Sequence, residues 1–377
     1  MKVSVPLEQD PTEWRVAATP RSIKKLLSMD FEVLIASGAG LKAEIADVEY
    51  ESAGAVVVSN DVVCDGADVI LTVTRPSHEL LSRANKGALL IGSLDPYGDK
   101  EELKKLVGVA GGLSCFSLEL MPRITRAQGM DVLSSQSSLI GYQAIIDAAC
   151  EYNKVIPMMM TPAGTLAAAR IFVMGVGVAG LQAIATAKRL GGVVTATDVR
   201  SAVKEQVLSL GAKFIAVEDE EFQQAETSGG YAKTMSLEYQ EKQAELIAEH
   251  IKKQDIVITT ALIPGRPAPV LVKSEMVKSM SAGSVIVDLA VLKGGNVEGS
   301  VSGQVVVVNG VRIVGYTNVA SRVAASASQL YANNLLAFLE ILVDKNEGAI
   351  KVDWQDELVV ATAIARDGKV LGILSQE

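Results

Sequence analysis

Aromatic residues make up only 4% of the 377-residue chain, so its core must be built from small aliphatics. There are three cysteines, Cys64, Cys115 and Cys150. They are far apart, odd in number and form no C-x-x-C pair, which excludes a disulfide framework and a thiolate zinc site. Two histidines, His78 and His250, leave little for an imidazole site, and no metal is expected. Charged residues are few, at 21%, against 49% hydrophobic, which excludes disorder as the main state. Positive charge is in the minority: 35 Lys and Arg against 44 Asp and Glu, a net −9. A chain of that sign repels phosphate, which excludes nucleic acid and anionic membrane surfaces as partners. Long apolar runs are missing too. The longest uncharged stretches are 171–187 and 323–339. Gly175, Gly177 and Gly180 interrupt the first, and Ser326, Ser328, Gln329, Asn333 and Asn334 the second. A spanning helix needs about 20 mostly apolar residues. The N-terminal segment has no apolar leader, so the expected compartment is the reducing cytoplasm.

What the chain has in quantity is short β-branched runs alternating with amphipathic stretches, the pattern of a parallel α/β sheet. Its length suits two domains, each with its own core. In the first half, strands are expected at 3–5, 31–36, 55–58, 68–73 and 88–91. Helices are expected at 20–27 and 76–84, where Pro20 and Pro76 suit a helix start. A polar stretch, 119–138, leads into one long helix over 130–152 that Asp131, Ser134 or Ser135 can cap. Further strands are expected at 171–174, 193–197, 213–216, 256–260 and 284–288. The acidic segment 218–249 has a loop-like centre at 227–232 and a helix over 237–251. A hairpin joins 305–308 to 311–314 through Asn309 and Gly310. A second long helix covers 322–343, and 357–363 reads as a strand returning to the first domain. The expected fold class is α/β: two Rossmann-like doubly wound parallel-sheet domains, joined by long helices with a cleft between them. The N-terminal α/β domain takes 1–133 plus about 320–377, and the nucleotide-binding Rossmann domain about 134–319.

One motif carries specific chemistry. Gly175, Val176, Gly177, Val178, Ala179 and Gly180 spell G-x-G-x-x-G between an expected strand and an expected helix. That is the dinucleotide-binding arrangement. Gly175 permits the tight turn, Gly177 lets backbone approach a pyrophosphate, and Gly180 lets helix and strand pack closely. The helix N-terminus supplies positive potential to the phosphates. Asp198 ends the next strand, where a carboxylate accepts hydrogen bonds from an adenosine ribose and repels a 2′-phosphate. NAD(H) is therefore expected over NADP(H). The alternative is that Asp198 caps a helix over 201–210, and Arg200 beside it keeps NADP(H) conceivable.

A dehydrogenase acting on an alcohol, hydroxy acid or amino acid moves a proton as well as a hydride, and needs a positioned acid or base. His78 follows Pro76 and Ser77 at a helix start and His250 ends a polar helix, so both are expected at the surface. Hydride exchange between two nicotinamides moves no net proton and needs only positioning. The lack of acid/base residues favours the second chemistry.

Several segments together carry a resemblance. They are Glu119 to Arg123 with Gln128, Asp131 and Gln136; Pro157 to Thr161; the glycine loop running on to Arg189; and Thr197 to Arg200. Gly229 to Lys233, Thr259 to Gly265 and Thr317 to Val319 continue it. The chain resembles the NAD(H)-binding component of proton-translocating nicotinamide nucleotide transhydrogenases, the first portion of the alpha subunit in the split bacterial form. The likeness runs from the first strand to about residue 343. It implies that Arg123, Gln128, Asp131 and Ser134 hold the nicotinamide end. The residues themselves leave open that these four simply cap and brace the long helix. It implies that the 175–180 loop, Asp198, Val199, Arg200, Ala261 and Leu262 bind the rest of NAD(H), with Tyr231 on a mobile loop that closes over it.

The resemblance also implies partners. NADP(H) is the co-substrate on a separate NADP-binding component, and a membrane component couples hydride transfer to proton translocation. The component is a homodimer in that family. A chain without a span is then peripheral, held at the inner membrane through its partner subunits. An end at 377, where fused members continue into transmembrane helices, favours the split gene arrangement. The same superfamily holds alanine dehydrogenase, whose pattern includes Arg15. That enzyme's catalytic lysine falls near Thr74 here and its histidine near Ser93. An amino-acid dehydrogenase of that kind is the alternative reading, and a non-catalytic NAD-binding regulatory module is a further rival.

Overall fold

The computed structural model describes residues 1–223, 236–263, 265–344 and 349–374. The chain divides into two compact units, Met1–Gln136 with Ala320–Glu377, and Ser137–Val319.

The first unit opens with β1 (Lys2–Val5), α1 (Pro20–Leu27), β2 (Glu32–Ala36), α2 (Asp47–Ala53), β3 (Val56–Val58) and β4 (Val69–Leu71). It continues through α3 (His78–Leu81), β5 (Leu89–Gly92), α4 (Lys100–Val107) and β6 (Ser114–Ser117). The six strands lie parallel in the order β3-β2-β1-β4-β5-β6, the doubly wound arrangement. Thr19 and Ser22 cap α1 reciprocally, with Pro20 in its first turn. The expected helix over 76–84 shrinks to four residues. Ser77 caps it, and beyond it Ala84 N–H donates to Leu81 O in a tight turn, while Asn85 N–H donates to Ala67 O and its side-chain Nδ2 to Gly66 O and Asp68. α2, α4 and β6 are not among the expected elements. In α4 only Leu103, Leu106 and Val107 are buried, too weak an apolar stripe to stand out among charged neighbours.

Next come α5 (Val132–Glu151), in which the unit boundary falls, β7 (Met159–Thr161), β8 (Gly164–Leu166), β9 (Arg170–Met174) and α6 (Val178–Arg189). They are followed by β10 (Val193–Thr197), α7 (Lys204–Ser209), β11 (Lys213–Phe214), α8 (Glu220–Gln223) and α9 (Leu237–Ile251). The second unit ends with β12 (Ile256–Thr259), α10 (Ser274–Ser279), β13 (Val285–Asp288), β14 (Val305–Val308) and β15 (Val311–Val314). Its sheet runs β11-β10-β9-β12-β13-β15-β14, parallel except for β14. Alternate residues of β9 serve two cores: Ile171 and Val173 join Ala183, Ile184 and Ile256, whereas Phe172 and Met174 join Ile251, Val257 and Ile286. A parallel sheet covered on both faces requires that pattern. Asn309 and Gly310 take φ of 50° and 81°, the left-handed pair that a two-residue hairpin turn demands. β11 is shorter than expected because Val217 N–H donates to Gln243 on α9 instead of extending the ladder. The expected helix over 237–251 is α9, with Ser236 as its cap. The expected loop at 227–232 lies outside the described residues.

The chain then re-enters the first unit with α11 (Ala324–Leu339), β16 (Val343–Asp344), β17 (Ala349–Ile350), α12 (Glu357–Thr362), β18 (Ala363–Arg366) and β19 (Lys369–Val370). β18 joins the first sheet antiparallel to β6. The expected strand over 357–363 is corrected to a helix followed by a strand. Asp356 accepts from Leu358 N–H and caps it, and Leu358, Val359 and Thr362 are buried at helical spacing. The expected helix over 322–343 is trimmed to α11 by a 3₁₀ turn, Val319–Val323, before it. No helix among the described residues is long and apolar enough to cross a membrane.

Candidate functional site

The glycine loop lies where β9 hands over to α6. Gly175 has φ of 101°, and a Cβ there would lie 2.6 Å from Thr260 Oγ1. Thr260 in turn donates to Gly175 O at 3.0 Å. At Gly180 a Cβ would stand 1.9 Å from Gly175 O, so α6 sits on the strand end as closely as backbone allows. Gly177 differs: a Cβ there meets nothing within 4 Å. Gly177 is also the N-cap of α6 and supplies no side-chain cap. The first-turn amides of α6 therefore have no side-chain acceptor at that position, beside open space. Gly141 of α5 braces the loop from behind, where a Cβ would lie 2.0 Å from Ala179 O. Val178 is exposed on the loop's outer side.

Asp198 follows β10 and ties that strand end to the loop. Its carboxylate accepts from Val176 N–H at 2.7 Å. It also accepts from Arg200 N–H, Nε and Nη2, each at 2.9 Å. Arg200 Nη2 reaches Val176 O at 3.2 Å as well. Asp198 does not cap the following helix. A 3₁₀ turn, Ser201–Val203, intervenes, and α7 starts only at Lys204. Val199 and Leu262 expose their side chains.

The segment at Ala261 is fixed by residues that do not stand out in the sequence. Asn296 accepts from Ala261 N–H at 3.0 Å and donates to Ala261 O at 2.9 Å and Pro269 O at 2.7 Å. The buried Asp288 carboxylate holds Asn296 by accepting from the backbone N–H groups of Asn296, Val297 and Ala290. An acid closing a Val-Ile-Val run was the one legible signal. The partnership with Asn296 requires the folded turn between them.

In the first unit, a 3₁₀ segment, Thr125–Met130, leads into α5. Arg123 and Gln128 are exposed on this stretch, whereas Ala127 and Met130 are buried. Asp131 accepts from Ser134 N–H at 2.9 Å and from Ser134 Oγ at 2.5 Å. The capping that the residues left open is thus present for this pair. Arg126 pairs with Asp356, the cap of α12, and with Glu357 in its first turn, and the guanidinium holds the Asp356 carboxyl below its usual range. Tyr231 lies outside the described residues.

His250 departs from the expected surface position. It is half-buried, 2.9 Å from Thr195 Oγ1 and edge-on to Phe172, and burial pushes its pKa down. His78 sits at the surface, 2.9 Å from Glu102. Thr74 and Ser93 are tied internally. Thr74 donates through its hydroxyl and its N–H to Glu8, and Ser93 Oγ lies 2.9 Å from Tyr331 Oη. Arg15 is held by Glu13 and Gln136. Among the described residues, no group of three His, Cys, Asp or Glu side chains could hold a metal ion.

Comparison with known proteins matches residues 4–140 to the alanine dehydrogenase/PNT N-terminal domain and 144–372 to the alanine dehydrogenase/PNT C-terminal domain. The chain is 51% identical over 377 residues to the first portion of an NAD(P) transhydrogenase alpha subunit from Rhodospirillum rubrum, covering 98% of each. A crystal structure of transhydrogenase from Sinorhizobium meliloti aligns with a TM-score of 0.89 at 57% identity, over 98% of this chain and 100% of that one. An L-alanine dehydrogenase structure shares the fold, with a TM-score of 0.79 at 24% identity over 98% and 97% of the two chains.

Proposed function

This chain belongs to the alanine dehydrogenase/PNT family, among its NAD(P) transhydrogenase alpha subunits, and from that premise we propose that it is the NAD(H)-binding catalytic component of a proton-translocating transhydrogenase. The observation that carries the nucleotide assignment is the loop at Gly177: open space where a Cβ would be, next to a helix start with no side-chain cap. Those features fit a pyrophosphate. Asp198 takes the adenosine ribose, once Arg200 yields some of its hold on the carboxylate, and Val199, Ala261 and Leu262 line the adenosine side. Bound NADH supplies a hydride, delivered reversibly to NADP⁺ held on a partner component.

Arg123 donates to the carboxamide oxygen, Asp131 and Ser134 accept from its NH₂ or the ribose, and Gln128 does either. None of these residues needs to move a net proton. A membrane component couples the reaction to proton translocation, so this chain works at the cytoplasmic face of the inner membrane, held there by its partners. Homodimer formation is supported by the β7–β8 hairpin, where Met159 and Met160 are 43% and 76% exposed. An apolar edge of that kind is usually covered.

The test is to mix purified chain with NADH and an NADP⁺-loaded partner component. NADPH forms with the partner present and not with this chain alone, and turnover of L-alanine would move the assignment to the amino-acid dehydrogenase. Nothing favours that second reading at Thr74 or Ser93, whose hydroxyls are engaged by Glu8 and Tyr331.

A preference for NADH over NADPH is expected in fluorescence titration. Asp198→Ala should narrow it, because a repulsive carboxylate is lost and Arg200 is released toward a 2′-phosphate. An unchanged ratio in the variant would count against the ribose assignment.

A further inference from the structure

Gln128 is exposed on a short 3₁₀ segment, and the next residue has no side chain to anchor it. A Cβ on Gly129 would meet nothing within 4 Å. The backbone there is nevertheless held. Asn334, on α11 and only 6% exposed, donates from Nδ2 to Gly129 O at 2.8 Å. Its Oδ1 accepts from Ser135 Oγ at 2.7 Å. Gln136 Nε2 donates to the same Ser135 Oγ at 3.2 Å and to Ala327 O at 3.2 Å, which fastens this start of α5 to α11 a second time. On the other side of Gln128, Arg126 is paired with Asp356. Buried polar groups keep their partners because an unmade bond there is costly, so Asn334 gives the loop a defined position that its own sequence cannot.

We infer that Asn334 is a positioning residue for hydride transfer: its amide clamps the peptide that follows Gln128, with Ser135 holding the amide in the orientation that donates to Gly129 O. The inference rests on the transhydrogenase reading for its kinetic consequence and on geometry alone for the clamp. Asn334 touches no nucleotide in this role. Its effect should appear in the rate of transfer and not in the hold on NADH, since small misplacement of a positioning group reduces rate steeply.

Three variants separate the contacts. Asn334→Ala removes both. Asn334→Asp keeps an acceptor for Ser135 and sets a carboxylate oxygen against Gly129 O. Ser135→Ala leaves the Gly129 bond in place. Single-turnover NADPH formation with the partner component should fall by about tenfold in the Ala and Asp variants, and by less in Ser135→Ala, with the Kd for NADH unchanged. Amides at 124–130 should exchange hydrogen faster in the Ala and Asp variants, with or without partner. Wild-type rate and wild-type exchange in a folded Asn334→Ala or Asn334→Asp protein would overturn the clamp. A Kd that rises in step with the rate loss would overturn the positioning role. If the wild-type chain transfers no hydride with any partner, the transhydrogenase reading falls, and the exchange measurement still decides the clamp.

Discussion

Asparagine in place of Gln128 is expected to slow NADPH formation by about a hundredfold while leaving NADH affinity close to that of the parent chain. The substitution keeps the amide and its donors and acceptors. It withdraws them by one methylene, a displacement on the order of 1 Å. The backbone is held against compensating, because Gly129 O is bonded to Asn334. A group that merely helped to hold the nucleotide would show the loss in Kd instead. Stopped-flow rates at saturating NADH, set beside a fluorescence Kd, separate the two. A rise in Kd proportional to the loss in rate would make Gln128 a binding residue.

The second large effect is expected from a pair of single-methyl changes in the glycine loop. Gly177→Ala should leave thermal stability unchanged, since its Cβ meets nothing within 4 Å and φ is −79°. It should nevertheless weaken NADH binding by about a hundredfold, because the methyl takes the space that a pyrophosphate needs. Gly180→Ala should lower both Tm and affinity. Its Cβ would stand 1.9 Å from Gly175 O, and a backbone oxygen cannot move aside without tilting α6 off β9. Thermal melts and NADH titrations of both variants form the measurement. Full affinity in Gly177→Ala would remove the nucleotide from this loop.

The second sheet was legible in the sequence because both of its faces are covered. Uninterrupted runs such as those of β9, β10 and β13 have few other folded fates. The glycine loop was legible for a related reason: backbone chemistry at a turn leaves its mark in residue type. Side-chain partnerships were not. Asp288 with Asn296, and Asn334 with Gly129, join residues through turns or across long separations, and no local pattern records them. The tail misled for a local reason. In 357–363 the β-branched Val359 and Val360 suggest a strand, but Asp356 caps the backbone into a helix before β18 begins. His250 was misplaced because its helix is polar on the whole, and only the fold shows that its last turn lies against Phe172.

The alternation along β9 acts as a key. Ile171 and Val173 belong to one core, and Phe172 and Met174 to the other. A shift of one residue would turn each side chain toward the opposite face, driving a phenylalanine into a slot shaped for valine. The strand therefore has a single seating, set on both flanks by β10 and β12. Gly175 is the next residue along. The point at which the chain enters the glycine loop is indexed by the greasiest part of the sheet, and insertions or deletions inside β9 should be tolerated less than equal changes in any surface loop.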